Sequence, residues 1–224
     1  MEALKDPVSV MTQWFRAKCR EHPAAGLIGF KFKPYFDIDA AGQPAEQKWA
    51  RTMAWLRDYN VSVLFSHRNP LDVSISGKTD AELDRQDPQH QHAHCRPSEH
   101  ACISMHASVR VELPTGDNLL RSLDYSTKTR MAQLRMLTEY GIRHMAVTFE
   151  QLFDAQDNNK LANWHEVVQF LHPQAAALQW PQLTRALGVT VRVGSHHQGD
   201  RVRNYQQVQE TLNGTAFQGL LHRR

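Results

Sequence analysis

The sequence predicts an α/β protein, a parallel β-sheet flanked by helices, in a single domain spanning residues 1–224 with a His-rich loop insertion at about 78–106. Three observations carry that expectation. Short apolar runs at 27–32, 61–65 and 145–149 have the length and composition of strands buried on both faces. Stretches with helical spacing of apolar residues separate them, and the joins around the second run are short. A strand, a helix and a second strand so connected form a crossover, which makes the strands parallel.

Taken in order, Asp6-Pro7 is a cap followed by proline at the first helical position. Val8, Met11, Phe15 and Cys19 then recur at helical spacing with Trp14 beside them, giving an amphipathic helix to about Glu21 that His22-Pro23 closes. The first strand, from residue 27, is stopped by Pro34, and a helix over about 45–59 is built around Trp49, Met53 and Leu56. After the strand at 61–65, Asn69-Pro70 caps the next helix, and Asp72 favours the positive end of its dipole. Residues 78–100 are polar, hold Pro88 and Pro97, and read as a loop. Val109, Val111 and Leu113 alternate before a turn at Pro114-Thr115-Gly116-Asp117. Leu119, Leu120 and Leu123 predict a helix from Asp117; Met131, Leu134 and Leu137 predict another that Gly141 ends. A third core strand at 145–149, a helix through Leu161, Trp164, Val168 and Leu171, and a last helix from Asn204 to Leu212 complete the chain. No internal repeat is visible.

At 224 residues the chain can bury one core, and two domains would be cramped. Lysine and arginine number 26 against 23 acidic residues, with no dense basic block, which suits an anionic small molecule better than nucleic acid. Three widely spread cysteines, Cys19, Cys95 and Cys102, indicate no disulfide framework. No apolar run reaches membrane-spanning length, and the first residues lack a signal-peptide core. The compartment stays open between the cytoplasm and, with an anchor ahead of Met1, the Golgi.

A strand that runs into a capped helix, with Arg68 at the mouth, is suited to an anion. The arginine adds a planar, permanently charged fork that matches phosphate. The stretch Leu64-Phe65-Ser66-His67-Arg68-Asn69-Pro70-Leu71-Asp72-Val73-Ser74-Ile75-Ser76 resembles the motif with which sulfotransferases bind the 3′-phosphate of PAPS, the sulfuryl donor. The resemblance implies that Arg68 and Ser76, eight residues apart, hold that phosphate. It also implies a sheet of the P-loop nucleotide-binding type. Val147-Thr148-Phe149-Glu150-Gln151-Leu152 is similar to the family's second strand-to-helix junction, which implies that Phe149 lies near the nucleotide base. The segment 200–217 is similar to the family's closing segment, and the resemblance implies further contacts from the loop Ser195-His196-His197-Gln198-Gly199. The family's glycine-, serine- and threonine-rich loop for the 5′-phosphosulfate has no counterpart in residues 1–26. That departure leaves three readings open: an incomplete chain, a different way of holding the nucleotide, or loss of catalysis with the 3′-phosphate half-site retained.

The implied reaction is transfer of a sulfuryl group from PAPS to a hydroxyl or amine of a small molecule or carbohydrate. It needs in-line placement, stabilisation of the bridging oxygen and a base for the acceptor. Lys31 and Lys33 share one strand face, and Lys33 is a candidate to stabilise the sulfuryl group or act as base; His67, beside Arg68, is the other candidate. A solvent-facing role for Lys33 stands beside the catalytic one. His90, His92, His94, Cys95, His100, Cys102 and His106 are zinc-type ligands and make a metal-binding module a further alternative. Their spacing fits no standard finger, so no metal is expected.

Overall fold

The computed structural model describes residues 7–24, 28–30, 46–86, 95, 98–153, 157–173 and 197–221. Along them run α1 (Pro7–Glu21), α2 (Glu46–Asp58), β1 (Val63–His67), α3 (Pro70–Gln86), α4 (His100–Ser108), α5 (Gly116–Glu139), β2 (His144–Thr148), α6 (Phe149–Phe153), α7 (Asp157–Leu171), α8 (Gln198–Arg201) and α9 (Tyr205–Leu212), then a 3-10 turn at Gln218–Leu220. β1 and β2 form a small parallel two-stranded sheet flanked by helices, so the chain is mixed α/β. It divides into two compact units. One takes Met1–Ser66, Lys128–Val147 and Gln156–Ala176; the other takes His67–Thr127, Thr148–Ala155 and Ala177–Arg224. No helix among the described residues is long and apolar enough to cross a membrane.

The first unit is built on two copies of one device. At the end of α2, Asn60 turns to a φ of 50°, its N–H bonds Arg57 O at 2.9 Å, and the Val61 N–H bonds Leu56 O at 2.8 Å. At the end of α5, Gly141 turns to a φ of 65°, its N–H bonds Thr138 O at 3.0 Å, and the Ile142 N–H bonds Leu137 O at 2.9 Å. Both are Schellman stops, in which a left-handed residue closes the helix and the next apolar residue returns to the core. Val61 and Ile142 do so, beside Leu56 and Leu137. Each stop delivers a strand two residues later. The strand expected at 61–65 therefore begins at Val63, because Val61 is spent on the cap. The two strands start level, with the Val63 N–H on Arg143 O at 2.9 Å and Arg143 Nη1 on Ser62 Oγ at 2.8 Å.

Trp49, Met53, Trp55 and Leu56 of α2, Met136 and Leu137 of α5, and Met11 of α1 form this unit's core. Trp55 Nε1 donates to Thr12 Oγ1 at 2.8 Å, which pins α1 to α2. Phe30 meets Trp14 and Trp55 edge-on, with centroids 5.4 Å and 6.3 Å away. The strand expected from residue 27 is not regular over 28–30, where the backbone presents Phe30 to this aromatic cluster instead of joining a ladder. Residues 31–33 lie outside the described residues.

In the second unit, Leu71, Ile75, Thr79 and Leu83 are buried at intervals of four, one face of a helix that runs to Gln86. The loop expected from residue 78 is corrected here: the polar residues of 78–86 are the solvent face of α3, and Thr79 and Leu83 continue its buried face. Residues 100–106 are likewise helical, in α4. α5 is one helix where two were expected, since no glycine or proline interrupts residues 117–139. Leu119 and Leu123 of α5, Val208 and Leu212 of α9, and the alternating Val109, Val111 and Leu113 complete this core. Val111 pairs in parallel with Val202, and the Asn204 side chain extends the pairing by bonding both the N–H and the C=O of Leu113.

Candidate functional site

Arg68 and Phe149 are the residues that follow β1 and β2, and both belong to the second unit. The register of the strands is 81 residues, seen at Ser62 with Arg143 and at Asn69 with Glu150. The same register sets Arg68 against Phe149, and the guanidinium carbon lies 4.8 Å from the ring centroid. A cation over an aromatic face at this distance is a cation–π contact. Phe153 packs on the same ring, with centroids 4.6 Å apart. His67, the last residue of β1, is half-buried.

The start of α3 is closely held. Asn69 caps it through Oδ1, which accepts from the Leu71 N–H at 2.8 Å. The Asn69 N–H donates to Glu150 Oε1 at 3.3 Å, and Asn69 Nδ2 donates to Leu220 O at 3.0 Å. Asp72, only 2% exposed, accepts from Gln198 Nε2 at 2.8 Å. Gln198 Nε2 also reaches Leu220 O at 3.2 Å. Gly199 approaches closely enough for its N–H to donate to His197 Nδ1 at 3.2 Å. Tyr205 stands edge-on to His197, and burial, then the charge of Asp72, pushes its phenol above the ordinary tyrosine range.

Of the residues singled out from the sequence, the structure brings Arg68 and Phe149 together and brings Gln198 onto the first turn of α3. Ser76 is half-buried on α3, one turn beyond Asp72 on the same face and about 10 Å along the axis from Asn69. Lys33, Ser195 and His196 lie outside the described residues. Asn69, Glu150 and Tyr205 were not singled out as site residues. For Asn69 and Glu150 the signal was the equal spacing of the two strand-to-helix junctions, which places Asn69 beside Glu150 as it places Arg68 beside Phe149.

The expectation of PAPS with no metal is corrected by a second cluster. Ligand atoms of Cys95, Cys102 and His106 lie within 4.8 Å of one another, a donor set of metal-binding chemistry. Nothing among the described residues is specific to PAPS. Cys95 and Cys102 are joined in a disulfide with Cα atoms 5.7 Å apart, where no disulfide was expected; Cys19 is free and exposed. The two cysteines that pair are the close ones, seven residues apart, brought together where the chain enters α4. His90, His92 and His94 lie outside the described residues, and His100 is exposed. No protein family, curated protein or solved structure matches this chain.

Proposed function

We propose that this chain is a sulfotransferase-like protein in which Arg68 holds the 3′-phosphate of a nucleotide sulfuryl donor. The donor's sulfuryl group passes to a hydroxyl or amine as its bond to the nucleotide's 5′-phosphate oxygen breaks, and the acceptor's proton goes to a base. In this reading the sheet is of the P-loop nucleotide-binding type. The supporting observation is Arg68 spread over Phe149 at 4.8 Å, at the carboxyl ends of parallel strands. A guanidinium is a planar, permanently charged fork that matches phosphate, and an aromatic ring beside it offers stacking surface to a base. Strand ends of this kind are where open α/β sheets bind ligands. His67, one residue before Arg68, is the candidate to take the acceptor's proton. Lys33 is the other candidate for that role or for stabilising the sulfuryl group.

A second reading, binding without catalysis, is favoured by the state of the helix start. Glu150 and the Asn69 side chain already bond the N–H groups of Asn69 and Leu71, so an anion there rests on side chains more than on backbone.

Titration calorimetry with adenosine 3′,5′-bisphosphate and with adenosine 5′-monophosphate tests the phosphate contact. Charge-assisted hydrogen bonds contribute about 1.5–3 kcal/mol, so Arg68→Ala is expected to weaken bisphosphate binding roughly ten- to a hundred-fold. Ser76→Ala, which removes one neutral bond, is expected to cost less than about ten-fold. Neither change should alter binding of the monophosphate. Equal losses with both ligands would make Arg68 structural and remove the reading. Bisphosphate binding without sulfuryl turnover would select the second reading.

A further inference from the structure

We infer that Cys95, Cys102 and His106 form a thiol-gated zinc site, shut by the disulfide and opened by its reduction. Cys102 and His106 are four residues apart in α4 and so share one helix face. Cys95 is held against that face by the disulfide, and the ligand atoms of all three lie within 4.8 Å. Cys95 is wholly buried and His106 is 7% exposed, so the imidazole and one sulfur are already positioned inside the protein.

While the sulfurs are bonded to each other neither is a thiolate, and the thiolate is the form that ligates metal. Reduction by a small thiol of the glutathione class breaks the S–S bond. Two thiols become their own disulfide, and two electrons and two protons pass to the sulfurs of Cys95 and Cys102. Zinc then displaces both protons, which go to solvent. Two thiolates and a neutral imidazole are a three-ligand zinc set, with the fourth position left to water beside the half-buried Cys102. Sulfur and imidazole select zinc over magnesium or calcium, which take oxygen. With bonds of about 2.3 Å to sulfur and about 2.0 Å to nitrogen, tetrahedral ligand atoms stand roughly 3.5–3.8 Å apart. The His106 imidazole already lies within 4.8 Å of both sulfurs, and the sulfurs move apart to that spacing once their bond is broken.

The test uses zinc alone and is independent of the phosphate reading at Arg68. The full chain is prepared oxidised and, separately, reduced with a phosphine; each is given zinc, desalted and assayed for metal. About one zinc per chain is expected in the reduced protein and only traces in the oxidised one. His106→Gln and Cys102→Ser should each weaken zinc binding by at least about ten-fold, the range for disturbing even a supporting residue. A variant with His90, His92 and His94 all changed to Gln should keep the zinc. Cobalt in place of zinc should show thiolate charge-transfer absorption in the reduced protein only. Equal zinc in both redox states, or no zinc in the reduced protein, overturns the proposal, and both outcomes are read on the wild type whether or not a variant folds.

Discussion

Asp72, buried in the first turn of α3, shapes the chemistry of its neighbours. Tyr205 shows it most directly, since burial and then the carboxylate's charge both disfavour the phenolate. The folded chain therefore holds the phenol proton to higher pH than the unfolded chain, whose tyrosine titrates near 10. Below that value Tyr205 contributes its full share of stability; as pH rises through the folded value the share is lost. Urea midpoints measured from about pH 8 to pH 12 are expected to fall more steeply for wild type than for Tyr205→Phe, and parallel curves would contradict the assignment. Gln198 is a hydrogen-bond partner of Asp72, 6% exposed and donating to it at 2.8 Å. Gln198→Leu removes a hydrogen bond to a charged group, an expected loss of about 1.5–3 kcal/mol in urea unfolding. On the exposed side of α3, Arg85 and Gln86 bond Glu82 and hold its carboxyl down at about 2. Arg85→Ala should return the Glu82 midpoint toward 4.5 in a carboxyl NMR titration.

At the level of elements, the two Schellman stops determine where the strands begin. Gly141 has open space around the position of a Cβ, so Gly141→Ala is strained by its φ of 65° and not by a clash. The left-handed penalty predicts a loss of about 1–2 kcal/mol, read from the urea midpoint. Asn60→Ala should lose stability in the same way, while Asn60→Gly should be near neutral, because glycine carries no such penalty. Much of this architecture was legible in the sequence. Trp49, Met53 and Leu56 marked α2, the capped Asn69-Pro70 marked α3, and Gly141 marked the end of α5. The matching helix stops ahead of the two strands were not, although Tyr59-Asn60-Val61 and Tyr140-Gly141-Ile142 carry the same stop in different residues. Asn and Gly serve alike at a left-handed position, so a search for repeated letters passes over them. The far end of α3 was hidden for a related reason. Its buried face shrinks to Thr79 and Leu83, and the intervening polar residues read as loop until Leu71 and Ile75 supply the register. The Cys95, Cys102 and His106 group was obscured because metal motifs are recognised by linear spacing, whereas its closure depends on α4.

At the scale of the molecule, neither compact unit is a continuous stretch of chain. The first draws Met11, Trp49, Met53, Trp55 and Leu56 from its opening segment but takes Met136, Leu137 and Ile142 from the segment after residue 127. The second draws Leu71, Ile75 and Leu83 from one segment and Val202, Val208 and Leu212 from another. Each core thus closes only when residues far apart in sequence have met, which costs loop-closure entropy before the buried area compensates. A fragment ending at Ser66 keeps α1, α2 and most of β1 but loses α5 and β2, hence three buried core residues and the strand that pairs with β1. Burying a Leu, Ile or Met side chain contributes about 1.5–3 kcal/mol, so the missing three represent roughly 5–9 kcal/mol, comparable with the whole stability of a small domain. Residues 1–66 alone are therefore expected to show weak helical circular dichroism and no cooperative thermal transition. Adding a separate peptide of residues 128–147 at high concentration should restore helicity in a concentration-dependent way, because it supplies Met136, Leu137, Ile142 and the pairing strand. A fragment that melts cooperatively on its own would show that α1 and α2 close a sufficient core without α5.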